Sequence, residues 1–144
     1  MKKHLPIRNC HTQAALCLFA LLFLASCATR AKFMSSTVVP AAEGAIKVKK
    51  DNNNNYAVRV EVENLSEPKN LPMARNVYVV WAGTDNGVQN LGRLNVDKGF
   101  ISGKWKASLE TVTPYKPRRI FITGEDEATV TYPGSYVVLN TTSF

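Results

Sequence analysis

The residue types in this chain that bear on chemistry are three cysteines, two histidines and a run of acids. Cys10, Cys17, Cys27, His4 and His11 all fall within the first 27 residues, and no cysteine or histidine follows. A serine or cysteine nucleophile relies on a histidine base, and zinc is held mostly by histidine and cysteine. Neither arrangement is therefore expected downstream of Cys27. Two facing carboxylates alone can hydrolyse a glycoside, and Glu125, Asp126 and Glu127 supply acids. Adjacent residues in an extended chain point apart, so this run reads instead as a solvated hairpin tip. Asp51, Asn53 and Asn55 have the spacing of a calcium loop, but Tyr56 and Val62 stand where such a loop needs glycine and glutamate. The expectation is a non-catalytic protein without a metal or other cofactor.

The position of Cys27 has its own logic. Lys2, Lys3 and Arg8 open the chain, an apolar run follows over 14–25, and small residues precede the cysteine. That order is the order of an export signal. The run is shorter than the roughly 20 apolar residues a spanning helix needs. Leu24-Ala25-Ser26-Cys27 resembles the lipobox of bacterial lipoproteins. The resemblance implies cleavage between Ser26 and Cys27, a diacylglyceryl group on the Cys27 sulfur and a further acyl chain, such as palmitate, on the new amino group. One acyl chain holds a protein only marginally to a bilayer, whereas two or three hold it stably. The membrane, through this anchor, is thus the first expected partner. Ala28, where an aspartate favours inner-membrane retention in Gram-negative members, implies the outer membrane of the cell envelope.

Signal removal leaves 118 residues, a common size for one domain. It takes three of the 18 basic residues and none of the 11 acidic ones, leaving 15 against 11 and a formal charge of +4. Much of the chain's basicity belongs to the signal, so no nucleic-acid partner is expected. With Cys27 lipidated no disulfide can form, and the fold must hold by packing alone.

The exported part reads as strands. Residues 27–44 lack a period and contain Ser35, Ser36 and Pro40, the composition of a flexible tether from the lipidated cysteine. Residues 45–144 form the expected domain. Tyr56, Val58, Val60 and Val62 alternate with polar residues as a half-buried strand does, and residues 45–50 make its hairpin partner across the asparagine run. Strands are expected over 76–82, with Val77, Val79 and Trp81 on one side, and over 88–96 after an Asn86-Gly87 turn. A turn at Asp97-Lys98-Gly99 leads to a strand whose Ile101, Gly103, Trp105, Ala107 and Leu109 share a face, with Lys104 and Lys106 opposite. Closing strands are expected over 119–123 and 135–139. About seven short antiparallel strands, with no sustained helical period after the signal helix, predict an all-β immunoglobulin-like β-sandwich. Trp81 would be the tryptophan of its core.

Val77-Tyr78-Val79-Val80-Trp81, then Asn90-Leu91-Gly92-Arg93-Leu94, then Arg119-Ile120-Phe121-Ile122-Thr123-Gly124-Glu125 resemble the extracytoplasmic domain of anti-sigma-K-type factors. The resemblance spans roughly residues 45–139 and implies an immunoglobulin-like envelope module in which Tyr78, Trp81 and Gly92 determine the fold. Those factors bind a sigma factor through a cytoplasmic helical domain that this sequence does not carry, so no sigma factor is expected as a partner. The expected function is a membrane-tethered binding or interaction module, with an envelope protein or glycan as partner. Tyr115, Lys116, Arg118 and Arg119 form the candidate binding loop, because tyrosine and arginine are favoured at hot spots. The alternatives are a structural envelope lipoprotein without a specific partner, and a carboxylate-dependent glycan hydrolase.

Overall fold

The computed structural model describes residues 28–98 and 105–144. The signal segment 1–26, the Ser26–Cys27 cleavage position, Cys27 itself, and the expected strand positions Ile101, Gly103 and Lys104 lie outside the described residues.

The protein is all-β and antiparallel. Eight strands run in chain order as β1 (Ala28–Lys32), β2 (Glu43–Lys50), β3 (Tyr56–Glu63), β4 (Val77–Thr84), β5 (Gly87–Lys98), β6 (Trp105–Thr113), β7 (Pro117–Glu125) and β8 (Val137–Asn140), with a short 3-10 turn at Pro68–Asn70. They form one sheet in the order β1-β2-β3-β6-β5-β4-β7-β8. Strands β4, β5 and β6 form a meander. β3 returns beside β6, and β7 beside β4, so two Greek keys overlap on the same three strands.

The sheet curls because β5 changes partner along its length. Its first part pairs with β4, from Thr84↔Gly87 to Tyr78↔Leu94, and its last four residues pair with β6, from Asn95↔Ser108 to Lys98↔Trp105. A bulge at Leu91, between the pairs Trp81↔Asn90 and Val80↔Gly92, bends the strand just before the exchange. Gly92 has φ +118°, a conformation a side chain would resist, and its N–H is held by Asn90 Oδ1 at 2.8 Å. Asp97 and Lys98 of the expected Asp97-Lys98-Gly99 turn are instead the end of β5, and Gly99 lies outside the described residues.

Alternation in β2 and β3 came out as expected. Ile46, Val48, Val58, Val60 and Val62 are buried, while Lys47, Arg59, Glu61 and Glu63 are exposed. Each such valine contributes about 1.5–3 kcal/mol on burial. Across the curled sheet this face meets Tyr78, Val80, Ala82, Ile120, Ile122 and Leu139 in one core.

Trp81 departs from its expected place. It is fully buried, but with Val79 and Phe121 on the opposite face of β4 and β7, in a second, smaller cluster. Residues 126–136 cover it: Val130 packs on this cluster, and Asn90 Nδ2 donates to the carbonyls of Ala128 and Val130 at 3.0 and 2.8 Å. Strand β4 is therefore apolar on both sides because both sides are covered.

The expected flexible tether is also corrected. Ala28–Lys32 is strand β1, paired with β2 from Ala28↔Lys49 to Lys32↔Ala45. Phe33 bridges to Thr141, and Met34 N donates to Asn140 O at 2.8 Å, linking the two ends of the strand order. Ser36 is buried. Its hydroxyl donates to Val138 O at 2.6 Å and accepts from the Val38 and Val39 N–H groups. Phe33 lies over Gly44, where an added Cβ would stand 2.5 Å from Glu61 O and 3.1 Å from the Phe33 ring. Polar composition hid a segment that is held by long-range hydrogen bonds.

Candidate functional site

Register collects several loops at one end of the sheet. Ala28 pairs with Lys49, Lys50 with Tyr56, Tyr56 with Thr113, and Thr84 with both Gly87 and Pro117. The start of β1, the β2–β3 turn, the β4–β5 turn and the β6–β7 loop thus lie together. Two adjoining cavities open between them, about 300 and 450 Å³, sharing Lys50, Tyr56 and Lys116 as walls. Tyr115 lines the first with Asp85, and Phe144 and Thr29 line the second.

Of the candidate loop residues, Tyr115, Lys116 and Arg118 belong to this end. Tyr115 is 38% exposed, with its N–H on Thr113 Oγ1 at 3.3 Å. Arg118 forks onto Asp85, with Nε 3.1 Å from both carboxylate oxygens and Nη2 2.8 Å from Oδ2. The hydrogen bond from Arg118 holds the Asp85 carboxyl below its usual range, and Asp85 in turn raises the guanidinium.

Arg119 is separated from the others. It lies in β7 just past a bulge that leaves Arg118 unpaired between Thr84↔Pro117 and Gly83↔Arg119, and it shares the outer face with Phe121. Its guanidinium covers the Phe121 ring at 5.1 Å, and its stem crosses Gly83, where a Cβ would stand 2.8 Å from Arg119 Cγ. The predicted four-residue surface is thus three residues at the rim and one on the outer face beside Phe121.

Charge at this end is distinctive. Lys49, Lys50 and Lys116 are exposed and make no ion pair among the described residues. Asp51 is occupied: its Oδ1 accepts the Asn53 and Asn55 N–H groups, both at 2.8 Å, closing the turn on itself. At the other end Lys106 pairs with Glu63, Lys69 with Glu67 and Arg75 with Asp126, while Lys32 and Arg93 make no ion pair among the described residues but share cavities with Glu43, Glu63 and Glu67. Lys49, Lys50 and Tyr56 were not among the expected binding residues. The signal for them was the lysine pair before the asparagine run, which becomes a surface only once register sets it beside Lys116.

The acidic run does not converge. Glu125 is buried and its Oε1 accepts from Thr123 Oγ1 at 2.6 Å and from Gly134 N at 2.7 Å. Thr123 Oγ1 also accepts the Trp81 Nε1–H at 2.8 Å, so Glu125 ends a chain that locks the outer cluster. Asp126 lies 3.9 Å from Arg75, and Glu127 is exposed. Among the described residues no three histidine, cysteine or acidic side chains come together as a metal group. No described helix is long and apolar enough to cross a membrane.

A further cavity of about 310 Å³, at the opposite end, is lined by Glu67, Lys69, Arg75, Tyr78 and Arg93. Tyr78 donates its hydroxyl to Ser66 O at 2.9 Å, and burial pushes its pKa up to about 12 from 10.0. An unfolded chain loses this proton near pH 10 while the folded one keeps it to about 12. Stability from Tyr78 is therefore whole below pH 10 and falls as pH rises through that window. Urea midpoints measured from pH 9 to 12 should fall more steeply for the native chain than for Tyr78→Phe. At neutral pH that substitution should cost about 1 kcal/mol, the worth of one hydrogen bond.

Comparison with protein-family models, with curated proteins and with solved structures returns no match.

Proposed function

We propose that this chain is a bacterial envelope lipoprotein, anchored by lipid on Cys27. Its β-domain acts as a non-catalytic interaction module, placed at the outer membrane in a Gram-negative cell. The observation that carries the reading is the lipobox Leu24-Ala25-Ser26-Cys27 set behind a basic start and an apolar run. Every described strand, from β1 (Ala28–Lys32) onward, lies downstream of the Ser26–Cys27 bond, so cleavage there would leave them all intact.

On this reading the curled sheet is a sandwich of immunoglobulin-like kind. Its two halves meet where β5 changes partner, and the resemblance to the anti-sigma-K-type extracytoplasmic domain supplies the family expectation. The module binds through its loops. Commitment of the buried Glu125 carboxylate to Thr123 and Gly134 weighs against the glycan hydrolase alternative.

The test is mass spectrometry of the amino-terminal peptide of protein purified from membranes. The expected species begins at Cys27 and carries a diacylglyceryl group with or without a third acyl chain. A peptide that begins at Met1, or an unmodified Cys27, overturns the reading.

A further inference from the structure

We infer that the basic end of the sheet is a docking surface for anionic phospholipid headgroups of the membrane that holds the protein. The inference rests on the lipid-anchor reading of Cys27 and adds an orientation and a ligand class to it.

The first argument is length. A flexible tether would let the domain float free of the bilayer, but Ala28 is already paired with Lys49. One peptide unit, about 3.8 Å between neighbouring Cα atoms, separates it from Cys27. An anchor there draws down whatever lies around the start of β1. Around it lie the β2–β3 turn, the β6–β7 loop and the 450 Å³ cavity that Thr29 lines together with Lys50, Lys116 and Arg118.

The second argument is charge. Seven of the acids, Glu43, Glu63, Glu67, Asp97, Glu125, Asp126 and Glu127, lie at or beyond strand ends remote from Ala28. At the near end Asp51 is satisfied by its own turn and Asp85 by Arg118. Among the described residues Lys49, Lys50 and Lys116 make no ion pair, Lys116 acting on Asp85 only at longer range. Each such lysine near an anionic leaflet contributes about a fivefold preference for the docked orientation. Tyr115, part exposed beside them, has the apolar body and polar tip suited to the headgroup level. The two cavities between these side chains offer room for phosphate groups against the ammonium tips.

The test uses the mature lipidated chain in vesicles, with a nitroxide attached at Tyr115→Cys or, at the far end, at Glu127→Cys. The mature chain has no other free thiol, since Cys10 and Cys17 leave with the signal and the Cys27 sulfur carries lipid. In vesicles of phosphatidylethanolamine with one quarter phosphatidylglycerol, the label at 115 should meet an aqueous nickel chelate at least about fivefold less often than the label at 127. The difference should vanish in pure phosphatidylcholine, and in the Lys49→Glu, Lys50→Glu, Lys116→Glu variant, which keeps its thermal midpoint because all three side chains are exposed. Equal accessibility of 115 and 127 in a chain whose Cys27 carries lipid overturns the docking surface and leaves the anchor standing. Protection of 115 that survives phosphatidylcholine or the charge reversal also overturns it, and points to a second copy of the chain. Absence of lipid on Cys27 overturns both.

Discussion

Trp81→Ala lowers the unfolding free energy by about 3–5 kcal/mol, the cost of emptying a fully buried aromatic site. The indole lies parallel to Phe121, with ring centroids 6.3 Å apart and planes at 15°, under the 126–136 cover. Its Nε1–H also donates to Thr123 Oγ1, which donates to Glu125 Oε1, the same oxygen that accepts the Gly134 N–H of the cover. Removal therefore opens a cavity and frees the segment that would otherwise collapse into it. Equilibrium urea denaturation gives the number, and limited proteolysis should cut the variant first within 126–136. Trp81→Phe should fall between the two, because it restores apolar area without the donor. A loss below about 1 kcal/mol for Trp81→Ala would mean that the outer cluster does not hold the cover closed.

Ser36→Ala is expected to cost about 2–3 kcal/mol, large for the deletion of one oxygen. The Ser36 hydroxyl takes part in three hydrogen bonds, to Val138 O at 2.6 Å and from the Val38 and Val39 N–H groups at 3.1 and 2.9 Å. Alanine leaves three backbone groups short of a partner at a site with 8% exposure. Ser35→Ala, exposed next door, should change stability by less than about 0.5 kcal/mol. The same urea titration separates the pair. A flexible tether would give two equal and negligible values.

These two serines show where the sequence could be read and where it could not. β3 was legible because burial of one face imposes a period of two on Val58, Val60 and Val62. β4 was legible as a continuous apolar run, but not as to which face Trp81 takes. Its cover is a polar stretch, anchored by Asn90 and Glu125, that leaves no periodic mark. β1 was illegible for a related reason. Its five residues, ATRAK, include no buried side chain, and its pairing with β2 consists of backbone bonds that any residue can make. At the candidate site the β6–β7 loop was visible from its prolines. The division of Arg118 from Arg119 required knowing that β7 begins at Pro117, and the addition of Lys49 and Lys50 required the register of three hairpins.

The join between the ends of the sheet bears on the order of folding. Ser36 and Val138, which share a hydrogen bond, stand 102 residues apart. Phe33 and Thr141 are further apart still, and both contacts need nearly the whole chain to be present. Until β8 arrives, the outer edge of β1 has no partner, and closing so long a loop is slow compared with forming a helix or a turn. Closure of the sheet onto β1 consequently waits for the last strand. That delay accords with the export proposed above, which requires an unfolded chain.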